Sequence, residues 1–178
     1  MDKTDHPELK RKFLIEQLPD PLTRASKHIQ IFDNYIANTQ MRLRSIRIPE
    51  SRDWTYVLQK RTRAPGSLSN TKLDEIILDK AEHERFEIFC GNEIRKNRYA
   101  HAFDGRAFVF DVYLGNLWGL STARVDFETR NRMENFIPPP FAIFEVTNDA
   151  FFNDENLVGK KFTDVQAEVE QKVKGVKG

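Results

Sequence analysis

Two-residue alternation runs along most of this chain, and helical periodicity is confined to two stretches. Over residues 8–14, Glu8, Lys10 and Lys12 share one face of a strand, while Leu9, Arg11 and Phe13 share the other. A face bearing three charges does not enter an apolar core, because burying unpaired charge is costly. It must meet water, a counter-charge or a ligand. Further strand-like runs occupy 28–37, 41–48, 54–60 and 72–78, punctuated by Pro19-Asp20-Pro21, Asn38-Thr39 and Pro49-Glu50-Ser51. Residues 65–71, with Gly66, Ser67, Ser69 and Asn70, read as a mobile loop. Asp79 followed by Glu82 predicts a capping box that opens a helix to about Phe89, ended by Gly91-Asn92. Runs over 94–103 and 106–114 flank Asp104-Gly105, the signature of a two-residue hairpin turn. Strands over 120–128 and 141–147 follow, the latter after Pro138-Pro139-Pro140. Val165, Val169 and Val173 recur at four-residue spacing and predict an amphipathic helix over 163–174.

Many antiparallel strands, few helices and no strand–helix alternation predict an α+β protein built on a closed or nearly closed eight-stranded antiparallel barrel. Closure would remove exposed strand edges. The expected organisation is one domain over 1–178, with the barrel at about 8–157 and the helical tail at about 163–174.

Composition narrows the function. A net charge of +1 over 178 residues leaves no global footprint for a nucleic-acid partner, so anion selectivity must come from local clusters. The single cysteine, Cys90, excludes an internal disulfide and a thiolate zinc cluster, and reads as packed and inert. His6, His28, His83 and His101 are dispersed without metal-ligand spacing. No apolar run reaches the length of a membrane span and the N-terminus has no signal-peptide core, so a cytoplasmic protein without a membrane partner is expected. No glycine-rich phosphate loop or dinucleotide fingerprint occurs.

The local clusters lie on the strands. Besides Lys10 and Lys12, Arg42 and Arg44 share a face, as do Lys96 and Arg98, and Arg124, Asp126 and Glu128. Lys60 and Asp111 are isolated charges within largely apolar runs. A lumen lined by these side chains would be an anion-binding tunnel, with Arg giving planar multi-donor contacts and Lys compact charge. Carboxylates in such a place commonly hold a divalent cation that bridges phosphate oxygens.

In order and spacing these motifs resemble the CYTH superfamily of triphosphate tunnel metalloenzymes, which includes thiamine and inorganic triphosphatases and class IV adenylate cyclases. The resemblance rests on Glu8-Leu9-Lys10-Arg11-Lys12-Phe13-Leu14, Arg42-Leu43-Arg44, Lys60, Lys96-Asn97-Arg98-Tyr99, Asp111 and Glu145-Val146-Thr147, followed by Asp149, Phe152, Asn156 and Leu157. It implies a small polyphosphate-containing ligand held by Lys12, Arg42, Arg44, Lys60, Lys96 and Arg98. It also implies catalytic roles for Lys12 and Lys60, and Mg²⁺ or Mn²⁺ on Glu8, Asp111, Asp126 and Glu145. The sequence departs from the family pattern where Lys10, Arg124 and Ile76 stand in place of acids, Ile76 next to Asp74-Glu75. The basic positions are kept and the acidic ones fail, which weakens metal dependence. Two functions stay open at this point: a triphosphate hydrolase, and a phosphate-ligand-binding module that has lost catalysis.

Overall fold

The computed structural model describes residues 9–63, 71–89 and 91–176. Nine strands form one sheet: β1 (Lys10–Leu14), β2 (Ile29–Tyr35), β3 (Met41–Arg47), β4 (Trp54–Arg63), β5 (Thr71–Leu78), β6 (Glu93–Phe103), β7 (Arg106–Tyr113), β8 (Ser121–Asp126) and β9 (Phe144–Glu145). Their order is β5-β4-β3-β2-β6-β7-β8-β1-β9, antiparallel throughout. The architecture is α+β with few helices, as expected. The closed or nearly closed eight-stranded barrel is not confirmed: there are nine strands among the described residues, and the outermost two, β5 and β9, are not paired with each other.

Local chemistry accounts for the element ends. Asp79 and Glu82 cap α1 (Lys80–Phe86) reciprocally, Glu82 N–H donating to Asp79 Oδ1 at 2.8 Å and Asp79 N–H to Glu82 Oε2 at 2.9 Å. The β6–β7 hairpin turns on Asp104 and Gly105, with φ of 49° and 71°, the left-handed pair that matches strand twist. The strand expected over 141–147 contracts to Phe144–Glu145. The proline run sets a turn there, Ala142 N–H donating to the Pro139 carbonyl at 2.9 Å. Three further helices follow β8: α2 (Arg130–Glu134), α3 (Asp154–Leu157) and α4 (Phe162–Val176). Of the loop expected at 65–71, residues 65–70 lie outside the described residues, as do Cys90, His6 and Glu8, and Thr71 opens β5.

Directly opposed residues of an antiparallel pair share a face, so the register divides the sheet into two sides. One side, here the outer, carries Phe13, Tyr99, Phe108, Phe110 and Val125, all at most 1% exposed. Leu18, Leu22, Phe136 and Phe141 from the connections pack over them. Each such side chain contributes about 1.5–3 kcal/mol by leaving water. The other, inner side carries Asp33 and Tyr35 on β2, Arg42 and Arg44 on β3, Lys96 and Arg98 on β6, Asp111 and Tyr113 on β7, and Lys12 on β1. One end of it is covered by a second apolar cluster, in which Ile94, Tyr113 and Leu120 meet Val146, Phe152, Leu157 and Val165. Gly119 permits that cover, because a Cβ there would lie 2.7 Å from the Phe162 ring and its φ is +110°. The connection from β9 to α4 is thereby fastened across the charged face.

Candidate functional site

The central inner-face cations come from three strands. β3 supplies Arg42 and Arg44 and β6 supplies Lys96 and Arg98, each pair at i, i+2 so that both side chains emerge on one side. β1 supplies Lys12, opposite Arg124 of β8. Each of the central cations already has a partner. Arg44 donates to both oxygens of Asp33, Nε–Oδ1 at 2.6 Å and Nη2–Oδ2 at 2.7 Å, and Arg42 approaches Asp33 at 3.4 Å. Asp33 is fully buried. Arg98 forms the same fork with Asp111, both bonds at 2.7 Å. Lys96, 4% exposed, lies 3.0 Å from Asp111 and 2.6 Å from Asp154 on α3. Tyr113 donates its hydroxyl to Asp154 at 2.5 Å, and Lys12 donates to the Phe152 carbonyl at 2.8 Å. Lys12, Arg42, Arg44, Lys96 and Arg98 thus face Asp33, Asp111 and Asp154, five positive charges against three negative, an excess of two.

Burial and charge oppose each other at these groups. Burial by itself would raise the Asp111 pKa, but Lys96 and the Arg98 fork outweigh it and hold the carboxyl well below its usual range. Asp154 follows the same logic: burial would raise it, and the Lys96 and Lys12 charges, with hydrogen bonds from Lys96 and Tyr113, hold it down. Burial lowers Lys12 even though Asp154 attracts its proton. It raises Tyr113, which the Asp154 charge also keeps a neutral donor. Both carboxylates are anions at neutral pH.

The structure brings together five of the expected phosphate-binding residues, Lys12, Arg42, Arg44, Lys96 and Arg98. It places the sixth apart from them. Lys60 stands opposite Met41 and Leu43 is paired with Leu58, which places Lys60 on the outer side, exposed to solvent. Gln59 and Arg61 take the inner positions of β4. Gln59 links Arg42 to Glu75, accepting from Arg42 Nε at 2.6 Å and donating to Glu75 Oε1 at 2.8 Å. Arg61, with Arg42, Arg63, Tyr35 and Leu73, lines a cavity of about 220 Å³ at this end of the inner face. The same one-residue offset governs β5: Asp74, opposite Lys60, faces out, and Glu75 faces in, so the apolar residue beside the inner acid is Ile77 and not Ile76. Asp33 and Asp154, both central, were not among the expected residues. Asp33 carried a sequence signal, an acid within the apolar alternation Ile29, Ile31, Tyr35; Asp154, in a connection, carried none.

The expected metal ligands do not converge. Asp111 is inside but saturated by cations. Glu145 lies opposite Phe13, on the outer side, and is held there by Arg11 with bonds of 2.8 and 2.6 Å, which lower its pKa. Asp126 is exposed, opposite Lys10 in the register and 3.3 Å from Arg124 Nε without hydrogen-bond geometry. Glu8 is outside the described residues. A divalent cation needs several oxygen ligands converging without competing cations. Among the described residues no three His, Cys, Asp or Glu side chains form such a group. Among the described residues the donor set as placed does not fit Mg²⁺ or Mn²⁺. His83 packs against Tyr56 with ring centroids 4.2 Å apart and planes tilted by 34°, and meets Ser45 at 3.0 Å on the outer side, away from this site.

No family model matches the sequence. An inorganic triphosphatase of Nitrosomonas europaea is 28% identical over 156 residues, which span 84% of this chain and 95% of that protein. The crystal structure of an inorganic triphosphatase superposes with a TM-score of 0.63 at 25% identity, covering 86% of this chain and 95% of that one. No helix among the described residues is long and apolar enough to cross a membrane. This likeness in sequence and fold, with the Arg-x-Arg and Lys-x-Arg strands flanking β2 in one sheet, supports the resemblance to the CYTH superfamily.

Proposed function

We propose that this protein binds a triphosphate, tripolyphosphate or a small molecule bearing one, against the inner face of its sheet, and hydrolyses a phosphoanhydride bond there. The observation that carries the reading is the convergence of Lys12, Arg42, Arg44, Lys96 and Arg98 from three strands' inner positions, five donors of charge-assisted hydrogen bonds with an excess of positive charge. The likeness to inorganic triphosphatases supports it. Phosphoryl transfer asks a protein chiefly for positioning and for neutralisation of charge on the transferred group. Fixed guanidinium forks supply both, since Arg44 and Arg98 are already oriented by Asp33 and Asp111. The tunnel that the family resemblance implies is, in this reading, the space between the inner face and the connection that carries α3. Arg63–Glu155, Lys96–Asp154 and Lys12–Phe152 bonds span it from β4 to β1.

Because the carboxylates are engaged by cations, phosphate binding in this reading is largely independent of Mg²⁺ or Mn²⁺. The same engagement favours a second reading, a binding module with slow or absent turnover. Titration calorimetry of tripolyphosphate with and without Mg²⁺, beside a phosphate-release assay, separates the two. Release of phosphate that Arg44→Ala abolishes supports the hydrolase. Binding without release supports the module, and no binding in either condition overturns both.

A further inference from the structure

Asp154 differs from the other inner carboxylates in where it comes from. Asp33 and Asp111 stand on β2 and β7, whereas Asp154 stands on α3, a single helical turn in the connection after β9. That connection reaches across the charged face at three points. The Phe152 carbonyl accepts from Lys12, Asp154 accepts from Lys96 and Tyr113, and Glu155 pairs with Arg63 at the rim. The Asp154 carboxylate is 12% exposed and Lys96 is 4% exposed, so the contact is largely shielded from water. Its charge acts on Lys12, Tyr35, Arg42, Arg98 and Tyr113 alike, which places it centrally among the groups assigned to phosphate. An oxyanion held by an ammonium and a hydroxyl, beside a second ammonium, has the environment a phosphate oxygen requires.

We propose that Asp154 occupies one phosphate seat of the site, between Lys96, Tyr113 and Lys12, and that a ligand must displace it to bind, which weakens every phosphate ligand by a common factor and leaves only long polyanions, with contacts to spare, bound at low concentration. The inference rests on the triphosphate reading. A single phosphate that displaces Asp154 only exchanges one anion for another. A tripolyphosphate makes the same exchange and also gains contacts with Arg42, Arg44 and Arg98, so its net gain survives the loss. Displacement is local, because it breaks only the polar contacts of the short turn that carries Asp154, while Phe152 and Leu157 keep the connection anchored in the second apolar cluster.

The test compares wild type with Asp154→Asn, which keeps the shape and removes the charge, by calorimetry against tripolyphosphate, pyrophosphate and orthophosphate. Expected is tighter binding of all three in the variant by a common factor of about tenfold, with the ratio between tripolyphosphate and orthophosphate kept. Wild-type binding of tripolyphosphate that Asp154→Asn leaves unchanged or weakens overturns this proposal and leaves the triphosphate reading standing. Binding by neither protein overturns both. Hydrogen exchange on the wild type gives a readout that needs no variant. Saturating tripolyphosphate should speed exchange of the amides of 152–157 while β3 and β6 become more protected. Slower or unchanged exchange at 152–157 counts against displacement.

Discussion

Arg98 and Asp111 stand directly opposite each other across β6 and β7 and are joined by two parallel hydrogen bonds of 2.7 Å each, at 21% and 9% side-chain exposure. A fork so placed makes a cation part of the scaffold before any ligand arrives. Removing one partner of a buried pair leaves the other uncompensated, at a cost of about 3–5 kcal/mol. Asp111→Ala should therefore lower stability by about that amount in urea unfolding, because Lys96 loses a partner as well. Adding Arg98→Ala should recover part of the loss. A double variant as unstable as the sum of the two singles would show that the pair is not coupled.

The two carboxylates also set a pH dependence. Asp111 and Asp154 are held below their ordinary value of 3.8, against the upward push of burial, by Lys96 together with Arg98 in one case and with Lys12 in the other. A depressed folded pKa gives stability that is complete above 3.8 and lost as pH falls toward the folded value, because the unfolded chain then binds protons the folded one does not. Urea midpoints should stay flat from neutral pH to about 5 and drop below about 4. Asp154→Asn should shorten that drop. An acid limb of equal depth in the variant would remove Asp154 from the account.

Ligand affinity distinguishes the two sides of the sheet. Arg44→Ala should weaken tripolyphosphate binding by about 1.5–3 kcal/mol, the range for hydrogen bonds to charged groups. Lys60→Ala, on the outer side, should leave it unchanged. A large effect of Lys60→Ala with none of Arg44→Ala would reverse the assignment of faces.

The reason that Lys60 was open to misreading is physical. Strands were legible wherever one side is buried, because the two-residue period then carries real contrast: Phe13 against Lys12, Tyr99 against Arg98, Phe110 against Asp111. β4 beyond Leu58 is polar on both sides, from Gln59 to Arg63, and β5 is exposed on both sides before Leu78, and a pattern without contrast does not fix which face a residue takes. Lys60, Asp74 and Ile76 all fall there. Glu145 lies in a two-residue strand, too short for any period, and its facing was settled by Arg11. Asp154 belongs to a turn of helix whose position over the sheet depends on Phe152 and Leu157 packing in the second apolar cluster, a long-range fact.

The altered acids give the sharpest test of metal dependence. On the inner side, β1 and β8 place Lys10 opposite Asp126 and Lys12 opposite Arg124, so Asp126 is flanked by Lys10 across the ladder and by Arg124 two positions along its own strand. Two cations beside one carboxylate repel a divalent ion and supply the charge such an ion would bring. Lys10→Glu with Arg124→Glu reverses this: it sets three carboxylates, at 10, 124 and 126, on one side of two paired strands. Opposed side chains there lie close enough to share an ion, roughly 4.5–5.5 Å between Cβ atoms. Part of the geometry a hard oxygen-ligated cation needs is then present. The double variant should gain Mg²⁺ and Mn²⁺ binding by calorimetry, and its tripolyphosphate affinity should become dependent on the metal and sensitive to EDTA. The wild type should bind tripolyphosphate equally well with Mg²⁺ or with EDTA. A wild type that hydrolyses tripolyphosphate briskly with Mg²⁺ and loses all activity in EDTA would show that its acids hold a metal despite the cations beside them.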